Sequence, residues 1–443
     1  MMSRAVLASF LLLAARVAGA QDCVVPDGMK KAQKLPCVRA ATALLEQPTL
    51  TLEQLVNGPG FNPQDPASSR FAWFSAEDTA TCYFRPHYAF KGVKGQSLKF
   101  QCWQLTPTRA FYGRKGDSLE VGEVRIVLRK NSGGENRASI FPRADAGNEK
   151  EVRADRIKVK YLKPPHPGHN TRYNEVFTET AATRLLWALG FPADHSYTAG
   201  AAACVGCTAD PFGDNLKDNT ASVKGSPVTF RIVAVQRDAP FDEIDPEGDE
   251  TWSWRDANGF HRTGQWTRQQ KVAFDAYRLA LALLTYHNAN DVQNRLVCAE
   301  WKAGATDPEI CARPMIMVQD LGSTFGKPRS FIFGAHSRGN FKNWQTQSVF
   351  AKPDRCELRH ALDGEKQVLQ EAQALMVARL QRLDRDRVKA VFRAAGFHLM
   401  DQEQLSRLRG AGAADVAEAA LDEWTDVFMR RVAEIGSARN CRP

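Results

Sequence analysis

The chain has 443 residues, of which 43% are hydrophobic and 25% charged, enough for one large globular domain or two smaller ones. Lys and Arg number 59 against 50 Asp and Glu, a modest excess that suits a phosphate-handling protein. No dense basic run carries interleaved aromatics, which argues against a nucleic-acid partner, and past the amino terminus no apolar run reaches the roughly 18 residues that stable membrane insertion needs.

Residues 1–20 combine an early Arg4, an apolar stretch at 6–15 and the small residues Ala18, Gly19 and Ala20, which together predict a cleavable signal peptide and a secreted or periplasmic protein. All ten cysteines follow this segment, and an even number in an exported chain predicts disulfides. Cys204 and Cys207 have metal or redox spacing, but no second such pair or His cluster supplies further ligands. Structural half-cystines are the preferred reading.

Residues 21–70 hold two cysteines, Pro and Asn turns and a helical stretch at 44–55, and read as a disulfide-tied N-terminal cap. Short alternating segments then predict strands at 81–83, 98–103, 121–128 and 157–162. The break at Pro164, Pro165 and Pro167 precedes a predicted helix over 174–189, stopped by Gly190 and Pro192. A loop holding Cys204 and Cys207 leads to a buried strand at 228–235, and 240–264 reads as an acidic, Trp-containing loop. Val272, Ala276, Leu279, Ala280, Leu283 and Leu284 then share one face of a long helix at 269–285. Similar stripes around Val368 to Leu383 and Trp424 to Ile435 predict two more. The fold class is therefore α+β with two lobes: a strand-rich N-lobe with one embedded helix (71–238) and a helical C-lobe (239–443).

Three positions in this order are suited to phosphate chemistry. On the strand at 157–162, Lys158 and Lys160 share a face opposite Ile157, Val159 and Tyr161. Glu175 and Glu179 lie one helical turn apart, so that one of them can clamp a strand-borne Lys; Glu175 fits a solvated helix-start carboxylate, and Glu179 is chosen because it begins the run Glu179-Thr180-Ala181-Ala182-Thr183-Arg184-Leu185-Leu186-Trp187. Asp320 follows the apolar run Met315-Ile316-Met317-Val318 and precedes Gly322, whose backbone freedom permits a tight turn. A carboxylate there suits a hard divalent cation.

The runs Lys158-Val159-Lys160-Tyr161, Glu179-Thr180-Ala181-Ala182-Thr183-Arg184-Leu185-Leu186-Trp187, Asn294-Arg295-Leu296-Val297-Cys298 and Gln319-Asp320-Leu321-Gly322-Ser323-Thr324-Phe325-Gly326 resemble a family of exported, largely uncharacterised bacterial proteins. The resemblance spans, with gaps, about Phe71 to Leu399. It implies a fold similar to that of protein kinases and phosphoinositide kinases, stabilised here by disulfides, with ATP and Mg as cofactors. It further implies that Lys160, with Lys158 beside it, holds nucleotide phosphates, that Glu179 orients Lys160 and that Asp320 coordinates Mg²⁺.

The loop Tyr286-His287-Asn288-Ala289-Asn290-Asp291-Val292-Gln293-Asn294 departs from the family pattern, which carries a catalytic Asp and, further on, an Asn or Gln for the metal. Aligned without a gap, Asn288 takes the Asp position and Gln293 the metal position; a small deletion instead brings Asp291 and Asn294 into those roles. An Asn cannot accept a proton as a carboxylate does, so the ungapped alignment predicts weak or absent phosphoryl transfer. Gly113-Arg114-Lys115-Gly116 and Ser132-Gly133-Gly134 read as hairpin turns rather than as a phosphate-covering loop. The expected function is an exported kinase-like protein that binds ATP and Mg and transfers a phosphoryl group to a protein or small-molecule acceptor. The alternative is a pseudokinase acting as a secreted binding module.

Overall fold

The computed structural model describes residues 23–26, 31–45, 52–57, eight strand segments between 79 and 161, 175–205, 228–244 except 238 and 240, 251–286, 291–303, 309–326, 344–399 except 361 and 363, and 413–443. The expected signal peptide, Asn288 and both Gly-rich turns lie outside the described residues.

Strands and helices are mixed. After β1 (Cys23–Val25), α1 (Lys31–Ala40) and α2 (Leu52–Asn57) come β2 (Thr79–Tyr83), β3 (Lys99–Thr106), β4 (Arg109–Phe111), β5 (Ser118–Val121), β6 (Val124–Lys130), β7 (Asn136–Pro142), β8 (Lys150–Arg153) and β9 (Asp155–Tyr161). Then follow α3 (Glu175–Ala188), β10 (His195–Val205) and β11 (Val228–Arg237). Strands β10, β11, β9, β3, β4 and β2 close into a barrel, in that order, and β5 to β8 form a separate antiparallel sheet. In the barrel β9 lies between β11 and β3, with Lys160 opposite Ala234 on one side and Lys99 on the other, so its lysines do not sit on a sheet edge.

The remaining elements are β12 (Asp242–Glu243), α4 (Trp254–Thr263), α5 (Arg268–Leu283), β13 (Asn294–Cys298), β14 (Glu309–Cys311), β15 (Pro314–Val318), β16 (Phe350–Lys352), β17 (Glu357–Leu358), α6 (Gln370–Leu380), α7 (Arg385–Ala394) and α8 (Ala413–Ser437). The long helix α5 begins where a capping box forms: the Thr267 hydroxyl accepts from Gln270 N, and the Gln270 side chain accepts from Thr267 N. Gln270 Nε2 also donates to the carbonyls of Arg39 (2.8 Å) and Ala41 (3.0 Å), which ties the end of α1 to the start of α5. From Ala273 to Leu283 every residue of α5 is buried, and each buried Leu contributes about 1.5–3 kcal/mol.

Four expectations need correction. The stretch 240–264 is not all loop, because Ser253 accepts from Asp256 N and caps α4, and Gly264 ends it in the left-handed region at φ 75°. Trp252 Nε1 donates to the carbonyls of Arg295 and Met317, which anchors this helix start to β13 and β15. The segment before Cys207 contains β10, an Ala-rich strand held by barrel pairing rather than by its own propensity. Leu44 and Leu45 are not helical; of the stretch at 44–55 the helix α2 covers the part from Leu52, and a separate helix, α1, which carries Pro36, precedes it. Finally, 385–394 forms the extra helix α7, capped by Asp384.

Disulfides join Cys23 to Cys37, Cys298 to Cys311 and Cys356 to Cys441. The amino-terminal segment is sewn into the later chain: β1 pairs with β14, and Thr42 bridges Met315. Among the described residues no helix is long and apolar enough to cross a membrane.

Candidate functional site

Helix α3 is buried all round from Val176 to Ala188 except at the half-buried Trp187, so its polar side chains must find partners inside the protein. Its carboxyl end closes as Phe191 N donates to Leu186 O (2.9 Å) with Gly190 at φ 75°. Buried Arg379, on α6, donates to the carbonyls of Leu189 and Gly190 and places its cation at the negative end of the helix dipole. Burial lowers the Arg379 pKa to about 10. One turn from the start of α3, Glu179 is fully buried, and its carboxylate pairs with Lys160 Nζ of β9.

The same Nζ lies 3.2 Å from Asp320 Oδ1, so one ammonium bridges two carboxylates that are distant in sequence. Asp320 is the most open of the three, with its side chain 23% exposed against 3% for Lys160 and 0% for Glu179. Its Oδ1 also accepts from Gly322 N (3.2 Å), a local turn that fixes the carboxylate relative to the backbone. Gly322 O accepts from the Thr178 hydroxyl (2.8 Å), so the turn after Asp320 is hydrogen-bonded to the residue preceding Glu179.

The backbone just before Asp320 is held from both sides. Gln319 N donates to Gln293 O (2.8 Å), and Gln319 O accepts from Gln236 Nε2 (3.3 Å) of β11. Gln236 in turn donates to Asp194 Oδ2 (2.8 Å), whose other oxygen accepts from Ala239 N (3.0 Å). Asp194, Gln236 and Thr178 therefore position Asp320, although nothing in the sequence sets them apart from other buried polar residues.

The antiparallel register that puts Asn294 opposite Val318 places Gln293 beside Gln319, next to Asp320. Asn294 is fully buried: its Nδ2 donates to Trp252 O (3.0 Å) and Asp291 Oδ1 (3.2 Å), while its Oδ1 has no hydrogen-bond partner among the described residues. Asp291 Oδ1 also accepts from Trp254 N (3.0 Å), the first residue of α4. Of the sequence-derived candidates, then, Lys160, Glu179 and Asp320 meet directly, and Gln293, Asn294 and Asp291 lie on the adjoining strand and turn. Lys158 is two residues from Lys160 on β9, opposite Gln236 and Gln101, with its side chain outside the described residues.

Asp291 behaves here as a helix cap. Asp291→Ala is expected to lower stability by about 1 kcal/mol through loss of the Trp254 N acceptor, whereas Asp291→Asn retains an acceptor oxygen and most of that stability. Equal losses in urea unfolding of the two variants would contradict this.

The residues here that could serve a hard cation are the Asp320 carboxylate and the Asn294 carbonyl oxygen, which has no hydrogen-bond partner among the described residues. Among the described residues no cluster of three His, Cys, Asp or Glu side chains stands ready for a metal. That donor set fits Mg²⁺, which is characteristically held by one or two protein oxygens together with phosphate, rather than Zn²⁺, which needs a closed nitrogen and sulfur cage.

No family model matches the sequence, and no curated protein matches it. Solved structures with weak likeness include the Helicobacter pylori proinflammatory kinase CtkA, 14% identical, covering 72% of this chain and 99% of that one at a TM-score of 0.32. Another is HipA of a Shewanella oneidensis MR-1 toxin–antitoxin complex, 12% identical, covering 75% of this chain and 69% of that one at a TM-score of 0.25.

Proposed function

We propose that this chain is an exported, kinase-like protein that binds ATP with Mg²⁺ between its barrel and its helical part. The observation that carries the reading is the buried Lys160 ammonium shared by Glu179 and Asp320. A Lys held by a helix carboxylate is preorganised to meet phosphate oxygens, and a more open carboxylate beside it can take the accompanying metal. Asp320 and Asn294 would hold Mg²⁺, with Gln293 as a further oxygen donor, and the ion would supply positive charge to offset that of the phosphates. Lys158 would extend the cationic face of β9.

The phosphoryl acceptor in this reading is a hydroxyl on a protein or small molecule, with Asp291 receiving its proton. A second reading, a pseudokinase that binds nucleotide without transferring it, is favoured by one observation: Asp291 Oδ1 is already engaged by Trp254 N and Asn294 Nδ2. Thermal unfolding of the oxidised protein with and without Mg·ATP tests the shared part. A rise in midpoint is expected for the wild type and its loss for Asp320→Ala; at a ligand concentration of about 100 Kd the stabilisation is about 2.7 kcal/mol. No rise in the wild type refutes nucleotide binding. Where binding holds, label transfer from γ-labelled ATP that disappears in Asp291→Asn selects the kinase, and its absence in the wild type selects the pseudokinase.

A further inference from the structure

Glu179 rides on α3 and Asp320 lies just past β15, so the site depends on how these two elements are spaced. One short segment near the amino terminus touches both. It is first fixed against the start of α5: Trp266 Nε1 donates to Val38 O (3.3 Å), and Gln270 holds the carbonyls of Arg39 and Ala41. Thr42 then runs beside β15, its N–H donating to Pro314 O (3.1 Å) and its carbonyl accepting from Ile316 N (3.0 Å). The Thr42 hydroxyl accepts from Leu44 N (3.2 Å), a local turn of the kind that short hydroxyl side chains make.

Leu45 completes the link. Its N–H donates to Gly190 O (2.8 Å), just beyond the carboxyl end of α3, and its half-buried side chain packs against the cluster of Ala239, Val297, Met315 and Met317. Met315 and Met317 belong to β15, the strand that leads into Asp320. One residue therefore grips α3 with its backbone and β15 with its side chain. Helix α2 adds a second hold on α3, where buried Arg184 donates to the carbonyl of buried Leu55 (3.3 Å).

The spacing has an electrostatic consequence. Attraction between Lys160 and Asp320, 3.2 Å apart, falls as they separate, whereas the cost of burying Glu179 does not. A spacing imposed from outside the site lets one ammonium satisfy Glu179 and stay within reach of Asp320. The holds on Gly190, Arg184 and β15 act through two rigid elements, a contiguous physical route from the strap to the charges.

We propose that Leu45 is a positioning residue of the candidate site, and that the strap formed by residues 38–45 and α2 fixes the spacing of α3 and β15, so that loosening it uncouples Asp320 from the Lys160–Glu179 pair. The inference deepens the nucleotide reading and rests on it for its purpose, but its geometric claim is tested without nucleotide.

The test is native-state hydrogen exchange of the oxidised full chain, wild type against Leu45→Ala, which reads local opening segment by segment. The amides of Gln319 and Gly322, bonded to Gln293 O and Asp320 Oδ1, are expected to exchange at least about tenfold faster in the variant, while α8 keeps its rate. Faster exchange at Thr42 and Leu45 with no change at Gln319 and Gly322 overturns the proposal. Leu45→Val is a milder variant for the case in which Leu45→Ala loosens the whole protein. Uniform acceleration that includes α8 in both variants also overturns it, since the strap would then serve the entire fold. A second readout is the Mg·ATP concentration that half-saturates the thermal shift, expected to rise about tenfold in Leu45→Ala as the binding-competent arrangement becomes less populated. An unchanged requirement in a variant whose strap exchanges faster overturns the proposal. If the wild type shows no Mg·ATP shift, the nucleotide reading fails, and the exchange comparison alone decides the role of Leu45.

Discussion

Lys160→Met is expected to destabilise the protein by about 3–5 kcal/mol, because it takes the paired ammonium from a fully buried Glu179 carboxylate, and to abolish any Mg·ATP thermal shift, because it removes the proposed phosphate contact. The stability loss and the binding loss have separable causes. Taking two charges out of water costs several kcal/mol, and their mutual attraction offsets that cost only while both are present. The double variant Lys160→Met/Glu179→Leu should therefore recover most of the lost stability, with apolar side chains filling a similar volume. Nucleotide binding should stay lost, since neither phosphate contact nor clamp remains. Urea unfolding followed by Trp fluorescence and the ligand-induced shift measure the two outcomes independently. A double variant less stable than Lys160→Met would show that the pair supports the fold beyond charge compensation. A double variant that still binds Mg·ATP would remove Lys160 from the site.

The second large effect lies away from the candidate site, on α5. Asp275 and Arg278 are both fully buried and pair at 2.9 Å; the Asp275 carboxylate also meets His261 Nε2 (3.3 Å), accepts from Leu369 N (3.0 Å) and lies 3.8 Å from Arg442. Asp275→Ala leaves the Arg278 cation without its carboxylate and the Leu369 amide without its acceptor, so a loss of about 3–5 kcal/mol is expected. Burial, the largest influence on the Asp275 carboxyl, pushes its pKa up. It is outweighed by the His261 hydrogen bond, the Arg278 charge and the Leu369 amide, and the net result lies below the ordinary value of 3.8. A carboxyl whose folded-state pKa is depressed stabilises fully above its unfolded value and loses that contribution as pH falls through the folded value. The stability difference between wild type and Asp275→Asn should accordingly be constant near neutrality and shrink below about pH 3.8, the unfolded value. A difference independent of pH down to the acid transition would show that the carboxylate charge is immaterial.

Much of the fold was legible because local rules and tertiary structure agree. Thr267 and Gln270 form a reciprocal cap whatever lies around them, and the apolar stripe of α5 has one solution in water. The alternation around Lys160 indicates the strand, and the resemblance of the surrounding runs to a kinase-like family singles out Lys160, Glu179 and Asp320, the three residues that converge. What escaped depends on distant partners. Strand β10 carries the run Ala199-Gly200-Ala201-Ala202-Ala203, poor strand formers that become a strand because β11 and β2 flank them. Helix α4 was hidden by two Trp residues and an Asn-Gly pair that resemble a turn; its stability comes from Ser253, Asp291 and the sheet beneath Trp252. Asp194, Gln236 and Arg431 carry no motif at all, since each is defined by a carbonyl, side-chain amide, carboxylate or hydroxyl supplied from elsewhere along the chain.

The stitching of β1 to β14 and of Thr42 to Met315 constrains how the polymer reaches its native state. An early segment whose partners lie nearly three hundred residues downstream cannot settle while the chain is still emerging from the ribosome or a translocation channel. Loop-closure entropy is paid before those contacts form, which makes such pairings late and slow. Docking of the leading segment therefore waits until β14 and β15 have been made, and holding factors that shield its unpaired strand until then should raise the yield.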